Sequence, residues 1–255
     1  IEPITANVPP RADVARESWC LFLDVDGTLL EIAPTPDAVR VDDHLTQLLA
    51  DVACALDGAV ALVSGRAIAA LDQLFAPRRW PAAGLHGLER RDAGGRLHRH
   101  APARQCLDRA RLTLLYLAAR TPGILLEDKG LAIAVHYRAA PEIEPTLRRT
   151  LAEVAAELAP DYHLLEGKQV FELKPAAATK ADAVRAFMNE APFAGRRPIY
   201  VGDDVTDLDG FAAVERVGGL SVAVGDRVHA QSRVASPRDV RALLADLSER
   251  RSPAP

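Results

Sequence analysis

Unbroken apolar runs that end in polar or acidic residues recur along the chain. The clearest are WCLFLD at 19–24, AVALVS at 59–64, PIYVGDD at 198–204 and LSVAVG at 220–225. Apolar runs of this length are typical of strands that are buried on both faces, as in parallel sheets. A shorter run, AAGLHG at 82–87, predicts one more strand. Between the first two runs, helical spacing of apolar positions predicts a helix through Leu45, Leu48, Leu49, Val52 and Leu56.

The middle of the chain has a different pattern, in which pairs of strands close on short turns. The segments 123–138 and 162–174 each predict a hairpin, and helically spaced apolar residues lie on either side of the first. Hairpins joined to helices favour an antiparallel α+β unit. The sequence therefore predicts an α/β fold. A doubly wound, Rossmann-like parallel-sheet core at 1–100 and 175–255 is interrupted by a smaller α+β cap domain at 101–174.

Composition and charge narrow the class of protein. The chain has 255 residues, of which 49% are apolar and 26% charged, and its formal net charge is −4. These are the values of a globular protein, and the slightly acidic balance argues against nucleic-acid and anionic-membrane partners. No apolar run approaches the roughly 20 residues that a membrane span needs.

The cellular setting is predicted from the first residues and the cysteines. Residues 1–18 lack the basic start and apolar stretch of a signal peptide. The three cysteines are scattered and have no metal-ligand spacing: Cys20, Cys54 and Cys106. The expectation is a reduced, cytoplasmic protein without a disulfide. The sequence does not determine the oligomeric state, and a monomer is favoured.

Acidic residues follow two of the predicted buried strands. Asp24 and Asp26 follow the first, and Asp203, Asp204 and Asp207 follow the strand at 198–204. Ligands of parallel sheets bind beyond the carboxyl ends of the strands, so as many as five carboxylates are expected near one point. Such crowding is unfavourable unless a cation or a shared proton offsets it, and an all-oxygen site suits Mg²⁺. Taken alone, each cluster is also consistent with a solvated turn or with a favourable helix N-terminus.

Two further elements are compatible with a phosphate ligand. Thr179 to Asp182 has the pattern of a capping box, which puts Lys180 in the first helical turn, where a cation opposes the helix dipole. A phosphate bound nearby would offset this unfavourable interaction between the lysine and the helix dipole. Ser64, Gly65 and Arg66 follow the second buried strand, so their hydroxyl and amide groups could meet a phosphate. Taken singly, Lys180 is better explained as an ordinary surface lysine, and the turn at Ser64 is a weak signal because many strand-to-helix turns contain Ser and Gly.

Together, DVDGT at 24–28, Ser64, Lys180 and GDDVTD at 202–207 resemble the four motifs of the haloacid dehalogenase (HAD) phosphatase superfamily. The resemblance implies an HAD-type core and a phosphoaspartyl mechanism. Asp24 would be the nucleophile, Asp26 the general acid and then base, and Ser64 and Lys180 would hold the phosphoryl group. The implied Mg²⁺ ligands are Asp24, the Asp26 main-chain carbonyl and Asp203, with Asp204 or Asp207 in support.

Longer segments resemble the trehalose-6-phosphate phosphatase family, and they are more specific than the general motifs. They are GLHGLERR at 84–91, LEDKGLAIAVHYR at 126–138, GKQVFELKP at 167–175 and GDDVTDLDGF at 202–211. The resemblance implies hydrolysis of a small-molecule sugar phosphate in the last step of trehalose biosynthesis. The implied substrate-binding residues are Arg66, Glu127, Lys129, Arg138, Lys168 and Glu172, with His86, Glu89 and His136 as weaker candidates. Sugar hydroxyls need both donors and acceptors, and charged side chains supply both.

Other functions remain open at this point. Another capped sugar-phosphate phosphatase, for sucrose-phosphate or mannosyl-phosphoglycerate, would share most of these motifs. A non-catalytic sugar-phosphate sensor would be expected to lack the nucleophile or the acid, yet both Asp24 and Asp26 are present. A nucleotide-binding module is disfavoured because neither G-x-G-x-x-G nor a P-loop follows any predicted strand.

Overall fold

The structure is a computed structural model that describes residues 19–33, 38–99, 104–176 and 178–249. Residues 1–18, in which the sequence predicts no signal peptide, lie outside the described residues. The chain divides into two compact units. The first comprises the described residues of Ile1–His98 and Thr179–Pro255, and the second those of Arg99–Ala178.

The first unit is built on an eight-stranded sheet with the order β12-β11-β10-β1-β2-β3-β4-β5. The five pairings from β12 to β3 are parallel, and β4 pairs antiparallel with β3. The strands are β1 (Trp19–Leu23), β2 (Val60–Val63), β3 (Ala82–Gly84), β4 (Glu89–Arg91), β5 (Leu97–Arg99), β10 (Arg197–Gly202), β11 (Leu220–Val224) and β12 (Ser232–Val234). Strands β1, β2 and β11 are buried along their whole length, as their unbroken apolar sequences predict.

Within the described residues, five helices flank this sheet. They are α1 (Asp43–Ala55), α2 (Ile68–Leu74), α5 (Lys180–Met188), α6 (Leu208–Glu215) and α7 (Pro237–Ser248). Helices α1 and α7 pack on each other, and so do α5 and α6. Their apolar faces join the strands in one hydrophobic core. The predicted doubly wound α/β core is confirmed.

The second unit has an antiparallel sheet of its own, with the order β6-β7-β9-β8. Its elements are α3 (Arg104–Arg120), β6 (Leu125–Asp128), β7 (Ile133–His136), α4 (Glu144–Leu158), β8 (Tyr162–Gly167) and β9 (Val170–Pro175). Apolar residues from one face of the sheet and from both helices form a separate core. The predicted α+β architecture of the inserted part is confirmed.

The predicted strand at 82–87 is shorter than its apolar pattern indicates. Strand β3 ends at Gly84, and a 3-10 turn occupies Leu85–Gly87. The chain leaves the strand because Leu85 and His86 adopt left-handed backbone angles, with φ of 51° and 56°. A strand cannot continue through such angles.

Two features bear on the predicted cellular setting. Of the cysteines whose side chains the structure describes, Cys20 and Cys54 are free thiols. None of the described helices combines the length and the apolar character that crossing a membrane requires.

Candidate active site

Three predicted site residues follow the carboxyl ends of adjacent parallel strands in the first unit. Asp24 follows β1, Ser64 follows β2 and Asp203 follows β10, and the sheet order puts β1 between the other two. The strands run parallel, so their carboxyl ends lie at the same edge of the sheet. The fold therefore brings together motifs that are up to 179 residues apart in the sequence.

A buried lysine connects two of the acidic residues at this edge. Lys180 Nζ lies 2.7 Å from Asp24 Oδ1 and 2.6 Å from Asp207 Oδ1, and all three side chains are buried. Lys180 is the first residue of α5, whose capping box of Thr179 and Asp182 is present as predicted. The two carboxylates explain why a cation is stable at this helix N-terminus, against the helix dipole.

Asp207 accepts four hydrogen bonds. Its Oδ1 accepts from Lys180 and from the Tyr200 hydroxyl at 2.8 Å, and its Oδ2 accepts from the backbone amides of Asp203 and Asp204. Asp207 thus connects the lysine to the loop that carries the other two acids. Sequence reasoning missed Tyr200, although a tyrosine in a central buried strand signals that its hydroxyl needs a partner.

The pKa directions follow from burial and from the crowding of charge. Burial raises the pKa of Asp24 well above its usual value, and Asp207 and Asp203 add to this while Lys180 opposes it. Burial, with Asp207 and Asp204, raises the pKa of Asp203 to about 7. For Lys180, burial acts to lower the pKa, but Asp207 and Asp24 raise it overall, so the ammonium stays charged. The cluster holds more acidic groups than cationic ones, which favours binding of a further cation.

The donor set fits a hard divalent cation. One carboxylate oxygen from each of Asp24, Asp203 and Asp207 lies within 4.8 Å of the others. Thr28, a second residue that sequence reasoning missed, donates to Asp203 Oδ1 at 3.3 Å and orients that carboxylate. Asp204, by contrast, forms an ion pair with Arg227 at 2.6 Å. Oxygen donors without nitrogen or sulfur are the ligands that Mg²⁺ prefers.

Asp26 and the loop after β2 meet on the same edge. Arg66 Nε and Nη2 each donate to one oxygen of Asp26 at 2.7 Å. The Arg66 backbone amide also donates to the Ser64 hydroxyl oxygen at 3.1 Å. The structure therefore joins three predicted site residues: Asp26, Ser64 and Arg66.

His86 and Glu89 are buried behind this loop. Glu89 Oε2 accepts from the Ile68 backbone amide at 3.1 Å. The imidazole of His86 lies against Gly65, so close that a Cβ atom there would be 2.7 Å from the ring. Both residues therefore contact the segment that carries Ser64 and Arg66.

Charged residues predicted to bind sugar share one face of the sheet in the second unit. Glu127, Ala134 and Glu172 are cross-strand neighbours on β6, β7 and β9, so their side chains point the same way. Because alternate residues of a strand share a face, His136 lies on this face with Ala134. The opposite face contributes Ile133, Val135, Phe171 and Leu173 to the core of the unit.

Two ion pairs organise the charged face. His136 Nε2 lies 2.9 Å from Glu127 Oε2, and Lys129 Nζ lies 3.3 Å from Glu172 Oε2. Burial acts to raise the pKa of Glu127, but the hydrogen bond with His136 and the charge of Lys129 lower it overall. Arg138 lies in the turn after β7, and Lys168 is exposed in the turn between β8 and β9.

Comparisons with known proteins agree with this architecture. Residues 22–242 match the trehalose-phosphatase family. A trehalose-6-phosphate phosphatase from Escherichia coli strain K12 is 47% identical over 232 residues, which cover 90% of this chain and 86% of that protein.

Two solved structures share the fold. The C-terminal domain of trehalose-6-phosphate phosphatase from C. albicans has a TM-score of 0.82 at 23% identity, covering 94% of this chain and 97% of that one. A phosphatase of the haloalkanoate (HAD) enzyme superfamily from Bacteroides thetaiotaomicron has a TM-score of 0.62 at 16% identity, covering 96% and 98%. The predicted HAD-type fold and phosphatase class are confirmed. The chain belongs to the trehalose-phosphatase family.

Proposed function

We propose that this chain hydrolyses trehalose 6-phosphate to trehalose and inorganic phosphate, the last step of trehalose biosynthesis. The observation that carries the proposal is the buried Lys180 ammonium between Asp24 and Asp207, within a chain of the trehalose-phosphatase family. A lysine held beside a carboxylate at the end of a strand can neutralise a phosphoryl group that the carboxylate attacks.

Asp24 acts as the nucleophile. One of its carboxylate oxygens forms a bond to phosphorus, and the bond between phosphorus and the sugar oxygen breaks. Asp26 gives a proton to the departing sugar oxygen, which leaves as the free hydroxyl of trehalose. Asp26 then takes a proton from a water molecule while the oxygen of that water attacks phosphorus. The bond between phosphorus and the Asp24 oxygen breaks, which releases phosphate and restores the Asp24 carboxylate.

Ser64, Arg66 and Lys180 prepare the site for this transfer. The Ser64 oxygen accepts from the Arg66 amide, which leaves its own O–H free to donate to a phosphoryl oxygen. Arg66 holds Asp26 through two parallel hydrogen bonds, and each Asp26 oxygen keeps a second acceptor position for the proton it must exchange.

Asp24 and Asp203 are the side chains best suited to hold Mg²⁺, together with the Asp26 main-chain carbonyl that the family resemblance implies. Asp207 and Asp204 support them, because Asp207 orders the backbone of 203 and 204 while Asp204 pairs with Arg227. When bound, the cation supplies positive charge that lets an anionic nucleophile approach an anionic phosphate.

The second unit supplies sugar recognition through Glu127, Lys129, Arg138, Lys168 and Glu172. Support comes from the shared face of Glu127 and Glu172 and from their pairing with His136 and Lys129. Donors and acceptors fixed in this way match the hydroxyls of a disaccharide. We expect a monomer in the cytoplasm, without a nucleic-acid or membrane partner.

A substrate panel tests the proposal. Phosphate release is measured from trehalose 6-phosphate, sucrose 6-phosphate, mannosyl-phosphoglycerate and p-nitrophenyl phosphate, each with Mg²⁺ and with chelator. The expected result is a kcat/KM for trehalose 6-phosphate far above the others, and only with Mg²⁺. A preference for another sugar phosphate would reassign the substrate, and binding without turnover would indicate a sensor.

A further inference from the structure

A short buried segment lies between the two elements that contact the phosphoryl group in the proposed function. Residues 84–89 run from the end of β3 through the 3-10 turn to the first residue of β4, and all six are buried. The segment includes two ionisable side chains, His86 and Glu89, which the mechanism above does not use.

The backbone of this segment is unusual. Leu85, His86 and Gly87 follow one another with positive φ angles of 51°, 56° and 106°. Left-handed angles are unfavourable for a bulky residue such as leucine and persist only where the surroundings enforce them. Residues held in this way are concentrated at functional sites, so the contacts that enforce these angles are informative.

Those contacts lead first to the loop after β2. The Leu85 amide donates to the Arg66 carbonyl and the His86 amide donates to the Ser64 carbonyl, both at 3.0 Å. The β2–β3 pairing thus continues beyond the strands into residues that carry the chemistry. Any shift of the turn would move Ser64 and Arg66 with it.

The two ionisable side chains reinforce this connection. The His86 ring lies against Gly65, where a Cβ atom would be 2.7 Å from both Cε1 and Nε2. Glu89 Oε2 accepts from the amide of Ile68, the first residue of α2. The N-cap residue, Ala67, forms no side-chain cap, and Glu89 satisfies one of the first backbone amides of this helix from the neighbouring strand.

The same segment also contacts the helix that carries Lys180. Gly87 packs against the carbonyl of Thr179, the N-cap of α5, so closely that a side chain at 87 would collide with that oxygen. Residues 84–89 therefore contact both the 64–66 loop and the residue that precedes Lys180.

We infer that His86 and Glu89 are positioning residues that hold residues 64–68, His86 at Gly65 and Glu89 at Ile68, and through Arg66 the Asp26 carboxylate, in register with Lys180. This inference rests on the proposed phosphoryl-transfer site but not on the identity of the sugar. It replaces the sugar-contacting role that the family resemblance implied for His86 and Glu89, because the His86 ring faces Gly65 and Glu89 faces the Ile68 amide.

The test compares kcat and KM for trehalose 6-phosphate and p-nitrophenyl phosphate in four variants. His86→Asn tolerates a left-handed backbone but lacks the ring atoms that face Gly65. Glu89→Ala removes the acceptor, and Glu89→Gln keeps one. Gly65→Ala adds the colliding Cβ atom. Asp92→Ala is the matched control, because Asp92 orders the turn after β4 by accepting from the Arg96 amide.

His86→Asn, Glu89→Ala and Gly65→Ala should lower kcat for both substrates by similar factors, about ten- to a hundred-fold, with KM little changed. Glu89→Gln should recover most of the loss. The double variant Gly65→Ala with His86→Asn should lose less than the product of the single losses, because the colliding ring is gone. Asp92→Ala should lower Tm but leave kcat unchanged.

Three results would overturn the inference. A loss confined to trehalose 6-phosphate, with KM raised, would mean that these residues contact the sugar. A fall in Tm with unchanged kcat would mean that they only stabilise the fold. Multiplicative losses in the double variant would mean that ring and loop act separately. The aryl phosphate data remain decisive if another sugar phosphate proves to be the substrate, so the two failures are distinguishable.

Discussion

Asp26 and Arg66 face each other through two parallel N–H···O hydrogen bonds, both 2.7 Å long. Lysine keeps the charge of arginine but cannot form this planar fork. Arg66→Lys should therefore lower kcat about tenfold or more, the cost of losing a hydrogen bond to a charged partner. If Arg66 acts through Asp26, the same change should cost little in an Asp26→Asn background. If the kcat/KM losses of the two single variants instead multiply in the double variant, Arg66 acts independently of Asp26, by contacting the phosphate directly.

The covalent mechanism makes Asp24 and Asp26 distinguishable. Asp24→Asn should abolish both turnover and phosphoenzyme, because an amide is a poor nucleophile. Asp26→Asn should be severe for trehalose 6-phosphate, about a hundred-fold or more, since the sugar oxygen needs a proton to leave. With p-nitrophenyl phosphate, whose leaving group needs none, Asp26→Asn should accumulate phosphoenzyme. Intact mass spectrometry after acid quench measures it, and normal turnover by Asp24→Asn would exclude the mechanism.

Metal dependence is the third prediction. Activity should disappear in chelator and return with Mg²⁺, because Asp24 and Asp203 concentrate negative charge where phosphate must bind. Ca²⁺ should compete with Mg²⁺ but support little turnover, since its larger and looser coordination shell would misalign the attack. Asp203→Asn should raise the Mg²⁺ concentration needed for half-maximal activity. Full activity after exhaustive chelation would contradict the assignment.

The charged face of the second unit can be separated from the chemistry by using two substrates. Alanine at Glu127, Lys129, Arg138, Lys168 or Glu172 should lower kcat/KM for trehalose 6-phosphate about ten- to a hundred-fold, the effect of leaving a polar partner unpaired. Hydrolysis of p-nitrophenyl phosphate should stay nearly unchanged, because it lacks the sugar.

Two control variants accompany this comparison of the two substrates. Lys180→Ala should damage both substrates, since both carry the phosphoryl group. Glu153→Ala removes an exposed charge from α4 of the same unit and should affect neither. Equal losses on both substrates in the five face variants would mean that these residues serve folding rather than recognition.

The metal-free protein should lose stability as the pH rises. The folded-state pKa of Asp203 is raised from 3.8 to about 7. The carboxyl group's contribution to the free energy of unfolding is therefore fully present below pH 3.8 and is lost as the pH rises through about 7. Between about pH 5.5 and pH 8, the free energy of unfolding should fall by roughly 2 kcal/mol more than in Asp203→Asn. Denaturant titrations of both proteins in chelator measure this difference, and parallel pH profiles would refute it.

Much of the fold was predictable because strands that are buried on both faces have unbroken runs of apolar residues in the sequence. Strand β1 has no polar residue before Asp24, so the strand and the acid that ends it are both evident. Lys180 was harder, since a lysine in a first helical turn usually faces solvent. Its burial depends on Asp24, 156 residues away, and on Asp207, 27 residues away.

Other contacts could not be predicted because no local pattern encodes them. Arg66 and Asp26 are 40 residues apart and meet only because β1 and β2 are neighbours. Apolar spacing at 82–87 predicts a strand, yet the left-handed angles of Leu85 and His86 depend on contacts with the 64–66 loop. Hydrophobic periodicity reports burial but not the sign of φ.

The two units have separate hydrophobic cores, one around the eight-stranded sheet and one around the four-stranded sheet. A substitution that repacks one core therefore has no direct packing contact with the other core. If the charged strand face binds the sugar as proposed, its residues can change while the residues proposed for phosphoryl transfer stay the same. Separate cores would then let relatives diverge in substrate preference while they keep the same chemistry.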